Sequence, residues 1–154
     1  MNFYKKGFSG VEILIVVAVL GVILAIVIPQ FSKTRELQIL KNGVENTLSS
    51  INKAKVETLS SLNSSEYGVH FQSDKVIIFK GKVFSAGASE NIVVDITSPT
   101  TISNVTLGGV SSTSGDMYFN RLSGAPNVSG TITLSSGTYS RIITISATGN
   151  TNVN

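Results

Sequence analysis

Glu12 is the residue whose chemistry most needs a reason. It is the only charged side chain between Lys6 and Lys33, and it stands at the threshold of an apolar run from Ile13 to Ser32. A carboxylate there is costly in lipid or in an apolar bundle unless something pairs with it. Its chemistry is therefore ion pairing. The alternative is that it complements the positive N-terminal end of its own helix and snorkels to the interface. The other candidates are weaker. His70 is the only histidine, set in a strand pattern between Val69 and Phe71, so its side chain is expected on the opposite face from theirs. A structural or exposed histidine is the expectation. Asp74, Asp95 and Asp116 are isolated, with no metal-ligand spacing among them. No phosphate-cradling loop or nucleophile motif is present. The chain therefore reads as a non-enzyme, with no catalytic residue, metal site or cofactor expected. Lys75, Lys80 and Lys82 form a small basic group around one hairpin. A solvated face is the default reading, and contact with nucleic acid is the alternative.

The element that must position Glu12 is a long helix. Ile13 to Ser32 gives about 20 uncharged positions, and at ~1.5 Å per residue these span ~30 Å, the hydrocarbon thickness of a bilayer. Lys5 and Lys6 before it predict a cytoplasmic N-terminus, with everything after Lys33 outside. Past Phe31 the character changes but the period does not. Leu37, Leu40, Val44, Leu48, Ile51, Leu59 and Leu62 recur at three- and four-residue steps, and Lys55 breaks the stripe. The helix is expected from about Phe8 to about Leu62, roughly 80 Å long, leaving at Asn63-Ser64-Ser65. Its first part is apolar all round and its second has one apolar face to lay on a sheet. Gly43 allows a bend, since glycine costs ~1 kcal/mol against alanine in a helix. Gly21 and Pro29 interrupt the first part, and Pro29 crowds the Ala25 carbonyl, so a kink is expected there.

From Tyr67 the signals are strands. A hairpin is expected from Gly68–Phe71 and Val76–Phe79 across Gln72-Ser73-Asp74. Strands follow at Lys82–Phe84, Ile92–Ile96, Thr101–Leu107, Met117–Asn120, Thr131–Leu134 and Arg141–Ile145. Breaks fall at Gly108-Gly109 and Ser111–Gly115, and a turn at Ser135-Ser136-Gly137. The expected class is α+β: a long N-terminal helix on a β-rich antiparallel head. At 154 residues there is room for one modest domain and a long appendage. The net charge of +3 includes Lys5 and Lys6; without them ten cationic side chains face nine acidic ones. That balance carries little information about acidic partners. There is no cysteine. The head is then held by a packed core, or helped by an ion or by neighbouring subunits.

Lys5-Lys6-Gly7-Phe8-Ser9-Gly10-Val11-Glu12, followed by apolar residues to Pro29, resembles the start of type IV pilins and pseudopilins. The resemblance covers about the first thirty residues. It implies the pilin fold and a leader of residues 1–7, cut after Gly7 by a prepilin peptidase that also methylates the new N-terminus at Phe8. It further implies a filament-core helix over 8–32, an amphipathic helix over 33–62, and a head over 63–154. The new amine on Phe8 would pair with Glu12 of a neighbouring subunit and favour one axial register. In filaments of this family the segment between the matching glycine and proline, here Gly21 to Pro29, can lose helicity; a simple kink is the other reading. Gly10 departs from the family, where an apolar residue is usual, so the first turn would pack more loosely. A secretory signal peptide and a permanent single-pass anchor also fit the hydropathy. The first lacks a clear small-residue cleavage site around Ala25–Phe31. The second gives Gly7-Phe8 and Glu12 no role.

A second resemblance lies in the head. Tyr67–Phe71 with Val76–Phe79, Tyr118–Pro126 and Ile145–Gly149 look like segments of the GspH/FimT group of minor pseudopilins and minor pilins. That implies a structural subunit, minor rather than major, of a type IV pilus or a type II secretion-like filament. The major pilin and a DNA-binding minor pilin of an uptake pilus are the alternatives. A calcium site in the C-terminal loop, known in some pseudopilins, finds no acidic cluster in Gly149–Asn154. The implied partners are the prepilin peptidase/methyltransferase, other pilin or pseudopilin subunits, an inner-membrane assembly platform and, before assembly, membrane lipid. The implied location is the cytoplasmic membrane first, then an extracellular or periplasmic filament.

Overall fold

A computed structural model describes residues Gly7–Asn154. The expected Lys5, Lys6 and the rest of the leader before Gly7 lie outside the described residues. The chain divides into two compact units, Met1–Arg35 and Glu36–Asn154. One helix, α1, runs over Gly10–Leu59. Over residues 13–28 it is apolar on every side and exposed on every side, as at Leu14 (69 % exposed) and Ile28 (61 %). Helical structure continues through Gly21 and position 29.

The second unit is the head. The sheet strands are β1 (Tyr67–Phe71), β2 (Lys75–Lys80), β3 (Ile92–Asp95), β4 (Thr101–Leu107), β5 (Val110–Ser112), β6 (Gly115–Tyr118), β7 (Gly130–Ser136), β8 (Tyr139–Ile145) and β9 (Thr151–Val153). They form two antiparallel sheets, ordered β3-β2-β1-β6 and β5-β4-β7-β8-β9. The class is α+β, as expected. Alternation decides which side of each strand is buried. Ile132 and Leu134 of β7 and Ile143 and Ile145 of β8 join the core, while Thr131, Thr133 and Thr144 between them are half exposed. Val69 and Phe71 of β1, Val76 and Ile78 of β2 and Met117 of β6 close the core from the other sheet.

The helix stripe inside this core differs from the one its leucines suggest. Leu40, Val44 and Ile51 are buried, but Leu37, Leu59 and Leu62 are 42–45 % exposed. The rest of the buried face is small or hydroxylic: Gly43, Thr47, Ser50, Ala54 and Thr58. The hydroxyls are buried cheaply because each donates back to its own helix. Thr47 Oγ1 reaches the Gly43 carbonyl, Ser50 Oγ that of Asn46 and Thr58 Oγ1 that of Ala54, each at 2.8 Å. Small side chains let helix and sheet approach closely. A Cβ on Gly43 would stand 3.0 Å from Thr100 Cγ2 and 3.5 Å from Ile96 Cγ2, so this glycine serves contact. The fully buried Ile51 holds the centre of the face, and Ile51→Ala would cost ~2–5 kcal/mol.

Three strand expectations are corrected. Lys82–Phe84 is not a strand: Gly81, at φ +100°, turns the chain away after β2, and Phe84 folds back over the sheet. Ser111–Gly115 is not wholly a break, because Val110–Ser112 pairs with β4 across the Gly108-Gly109 turn. β9 was not foreseen; it is only three residues long and pairs with β8 from Ile143↔Val153 to Ile145↔Thr151. The helix also ends earlier, at Leu59, before a single 3-10 turn at Leu62–Ser64.

Candidate functional site

The N-terminal site is built from the first turn of α1. The Ser9 carbonyl accepts the amides of Glu12 at 3.0 Å and Ile13 at 3.2 Å, which starts the helix at Gly10. Glu12 lies in that first turn, where amides without intrahelical partners favour a negative charge. Its side chain is exposed, and among the described residues no ion pair involves it. Gly7 and Phe8 precede the helix without regular secondary structure, with Phe8 77 % exposed. The helix that follows is long and apolar enough to cross a membrane. One carboxylate is thus presented at the head of an uncovered apolar segment. The arrangement can accept a cation.

Sequence reasoning missed a second cluster. Register places His70 of β1 directly opposite Asp116 of β6, and His70 Nδ1 contacts Asp116 Oδ1. His70 does point away from the core that holds Val69 and Phe71. It is nevertheless buried, because Phe84 lies flat on it, with ring centroids 3.9 Å apart and planes 6° from parallel. Phe84 also meets Phe79 edge-on at 5.6 Å. No local signal marks this pair; it depends on a strand pairing across 46 residues. A histidine oriented by a carboxylate is half of a general-base device. Here the remaining nitrogen, Nε2, is buried without a hydrogen-bond partner, and the Phe84 ring is stacked on the imidazole. The cluster fastens the segment after β2 onto the sheet.

The basic group is neutralised locally. Lys75 lies 3.6 Å from Asp74, Lys80 3.4 Å from Glu90, and Lys82 3.7 Å from Glu66. Lys82 also sits 5.8 Å from the centre of the Tyr118 ring. Among the described residues no three His, Asp or Glu side chains converge as a metal site.

No family model matches the chain, and neither a curated protein nor a solved structure matches it.

Proposed function

We propose that this chain is a structural subunit of a filament of the type IV pilin or pseudopilin kind. It is made as a single-pass protein of the cytoplasmic membrane, with its N-terminus in the cytoplasm and its head outside. The prepilin peptidase cuts after Gly7 and methylates Phe8. The subunit then leaves the bilayer and joins its neighbours, through the assembly platform, in an extracellular or periplasmic filament. One observation carries this reading: Glu12 stands in the first turn of a helix whose following residues are apolar and uncovered all round. A filament core both covers such a surface and supplies the cation that Glu12 lacks among the described residues. The paired state of Lys75, Lys80 and Lys82 supports a structural role over a nucleic-acid-binding one, since each lysine already has a carboxylate. The head resemblance favours the minor form of the subunit.

The test is the mass of the mature N-terminus in cells that carry the peptidase. A chain beginning at methylated Phe8 is the expected result. Assembled filaments containing intact Met1, or a chain cut near Phe31, would remove the proposal.

A further inference from the structure

Both sheets of the head end on strands with one open edge. β3 closes the first sheet and β9 the second. Open edges are usually blunted by short length, charge, proline or a bulge. β3 is short and carries one charge, Asp95, but no lysine, proline or bulge: its sequence is Ile92-Val93-Val94-Asp95, with Ile92 39 % and Val93 53 % exposed. The Ile96 amide bonds to the Asp74 carbonyl. The antiparallel ladder alternates from there, so the amides and carbonyls of Val93 and Asp95 point to the open side.

β9 offers the same spacing. Ile142 and Asn154 exchange two bonds of 3.0 Å, so the backbone groups of Thr151 and Val153 point outward. The Val153 amide is held meanwhile by the side chain of Asn152, at 2.9 Å to Oδ1. Beyond this edge lies a groove of about 510 Å³ between β9 and α1, lined by Leu37, Leu40, Val44, Leu48 and Val153 and by two cations and one carboxylate, Lys41, Arg141 and Glu45. Lys41 is loosely paired with Glu45 at 3.8 Å. Among the described residues Arg141 has no carboxylate within ion-pair distance, and Asp95 has no cation.

We propose that β3 of one copy adds to β9 of a second copy. Val93 then enters the apolar groove between β9 and α1, and Asp95 faces Lys41 and Arg141. Two outward residues on each strand match in number, an apolar side chain meets an apolar floor, and an unpaired carboxylate meets an unpaired guanidinium. The two surfaces are different patches of one molecule, so the contact can repeat from copy to copy, and in a helical filament it runs on without closing. A three- to four-residue strand contact is small by the standard of stable interfaces. It works only where something else holds the heads at high local concentration. The inference therefore rests on the filament reading in its major-subunit form, the alternative to the minor form that the head resemblance favours, and a bridge between copies decides between the two.

The chain has no cysteine, so introduced ones are unique. Two differently tagged full-length chains, one Val93→Cys and one Val153→Cys, are co-expressed, and sheared filaments are oxidised. The expected product is a disulfide between the two tags, at least ten-fold above a Ser112→Cys control on the β5 edge. The double variant in one chain should give a ladder of multimers. Asp95→Lys should cut the yield several-fold, and Arg141→Glu in the partner should restore it. Filaments that assemble without the mixed-tag bridge would overturn the contact and leave the filament reading intact. A bridge only between two Val93→Cys chains would overturn it too, as would reversal without rescue. If Met1 stays uncut and no filaments form, the filament reading itself fails. The same oxidation is then run on the full chain crowded in lipid vesicles, where a bridge supports the strand contact and its absence rejects it.

Discussion

Lys55 Nζ donates a hydrogen bond of 3.0 Å to the Gly149 carbonyl, joining the middle of the buried helix face to the last turn of the chain, 94 residues later. The lysine that interrupts the apolar stripe is thus a tether. The turn it holds is tightly made. The Gly149 amide bonds to the Ser146 carbonyl, and the Asn150 amide to Ser146 Oγ. Gly149 has φ +76°, and a Cβ there would sit 2.5 Å from the Gly124 carbonyl oxygen.

Lys55→Met keeps the stem and removes the donor. It should lower stability by ~1.5–3 kcal/mol, the range for a hydrogen bond involving a charged group. Gly149→Ala should cost more, because backbone strain of ~1–3 kcal/mol adds to a clash with rigid backbone. Urea unfolding of the full chain in detergent compares the two. A Gly149→Ala midpoint at or above that of Lys55→Met would contradict this account of the turn.

Thr47 and Thr58 look equivalent in sequence and should not behave alike. Both are buried and both donate to the carbonyl four residues back. Thr58 Oγ1 also accepts the Tyr67 amide at 2.9 Å, which fixes the entry of β1. Thr47→Val loses only a bond within its own helix and should change stability by less than ~1 kcal/mol. Thr58→Val strands a buried amide and should cost ~1–3 kcal/mol. The same unfolding measurement decides it: equal midpoints would mean that the Tyr67 amide finds another partner.

Much of this architecture could be read from residues that obey one period. The first hairpin and the strands around Thr101–Leu107, Thr131–Leu134 and Arg141–Ile145 are such cases, because alternation places one set of side chains in a core. The misreadings occurred where local pattern and tertiary context disagree. Leucines define a stripe by hydropathy, but Gly43, Thr47, Ala54 and Thr58 define the buried face, because close approach to a sheet selects small side chains. Val83 and Phe84 carry a strand's composition, yet Gly81 turns them off the sheet. His70 and Asp116 meet only through a long-range register. Lys75, Lys80 and Lys82 look like a patch until their carboxylates, two of them distant in sequence, are placed beside them. At the N-terminus the position of Glu12 in a helix was legible, since an isolated charge before an apolar run needs no tertiary information.

Phe84 covers His70 and Phe79 from outside the sheet, and the segment carrying it is otherwise tied down near its two ends, by the Gly81 amide on the Glu66 carbonyl at 2.7 Å, by Lys82 with Glu66 and by Glu90 with Lys80. Stacked aromatic pairs contribute about 0.5–1.5 kcal/mol beyond their burial. Phe84→Ala should therefore loosen residues 81–91 without melting the sheet below. Amide exchange in 81–91 should quicken at least ten-fold while β1 and β2 beneath it keep their protection. Uniform acceleration through both sheets would show that Phe84 supports the whole fold instead.

Glu12→Ala and Glu12→Gln separate the two roles open to this carboxylate. If it only complements the start of its helix, the loss is a weak surface effect that salt screens. Gln, which still accepts a hydrogen bond, should then serve nearly as well as Glu, and both variants should assemble. If instead the carboxylate pairs with the Phe8 amine of a neighbour inside an apolar core, the charge itself is required. Removing one partner leaves the other buried and unpaired, which costs far more than a surface contact. On that account both variants should still insert in the membrane and be cut after Gly7, because neither step uses the pair. Both should assemble at least ten-fold less well than the wild-type chain, with Gln no better than Ala. The readouts are the mass of the mature N-terminus from membranes and the amount of the chain in sheared filaments. Normal incorporation of Glu12→Gln would reject the ion pair and leave the helix-end role in its place.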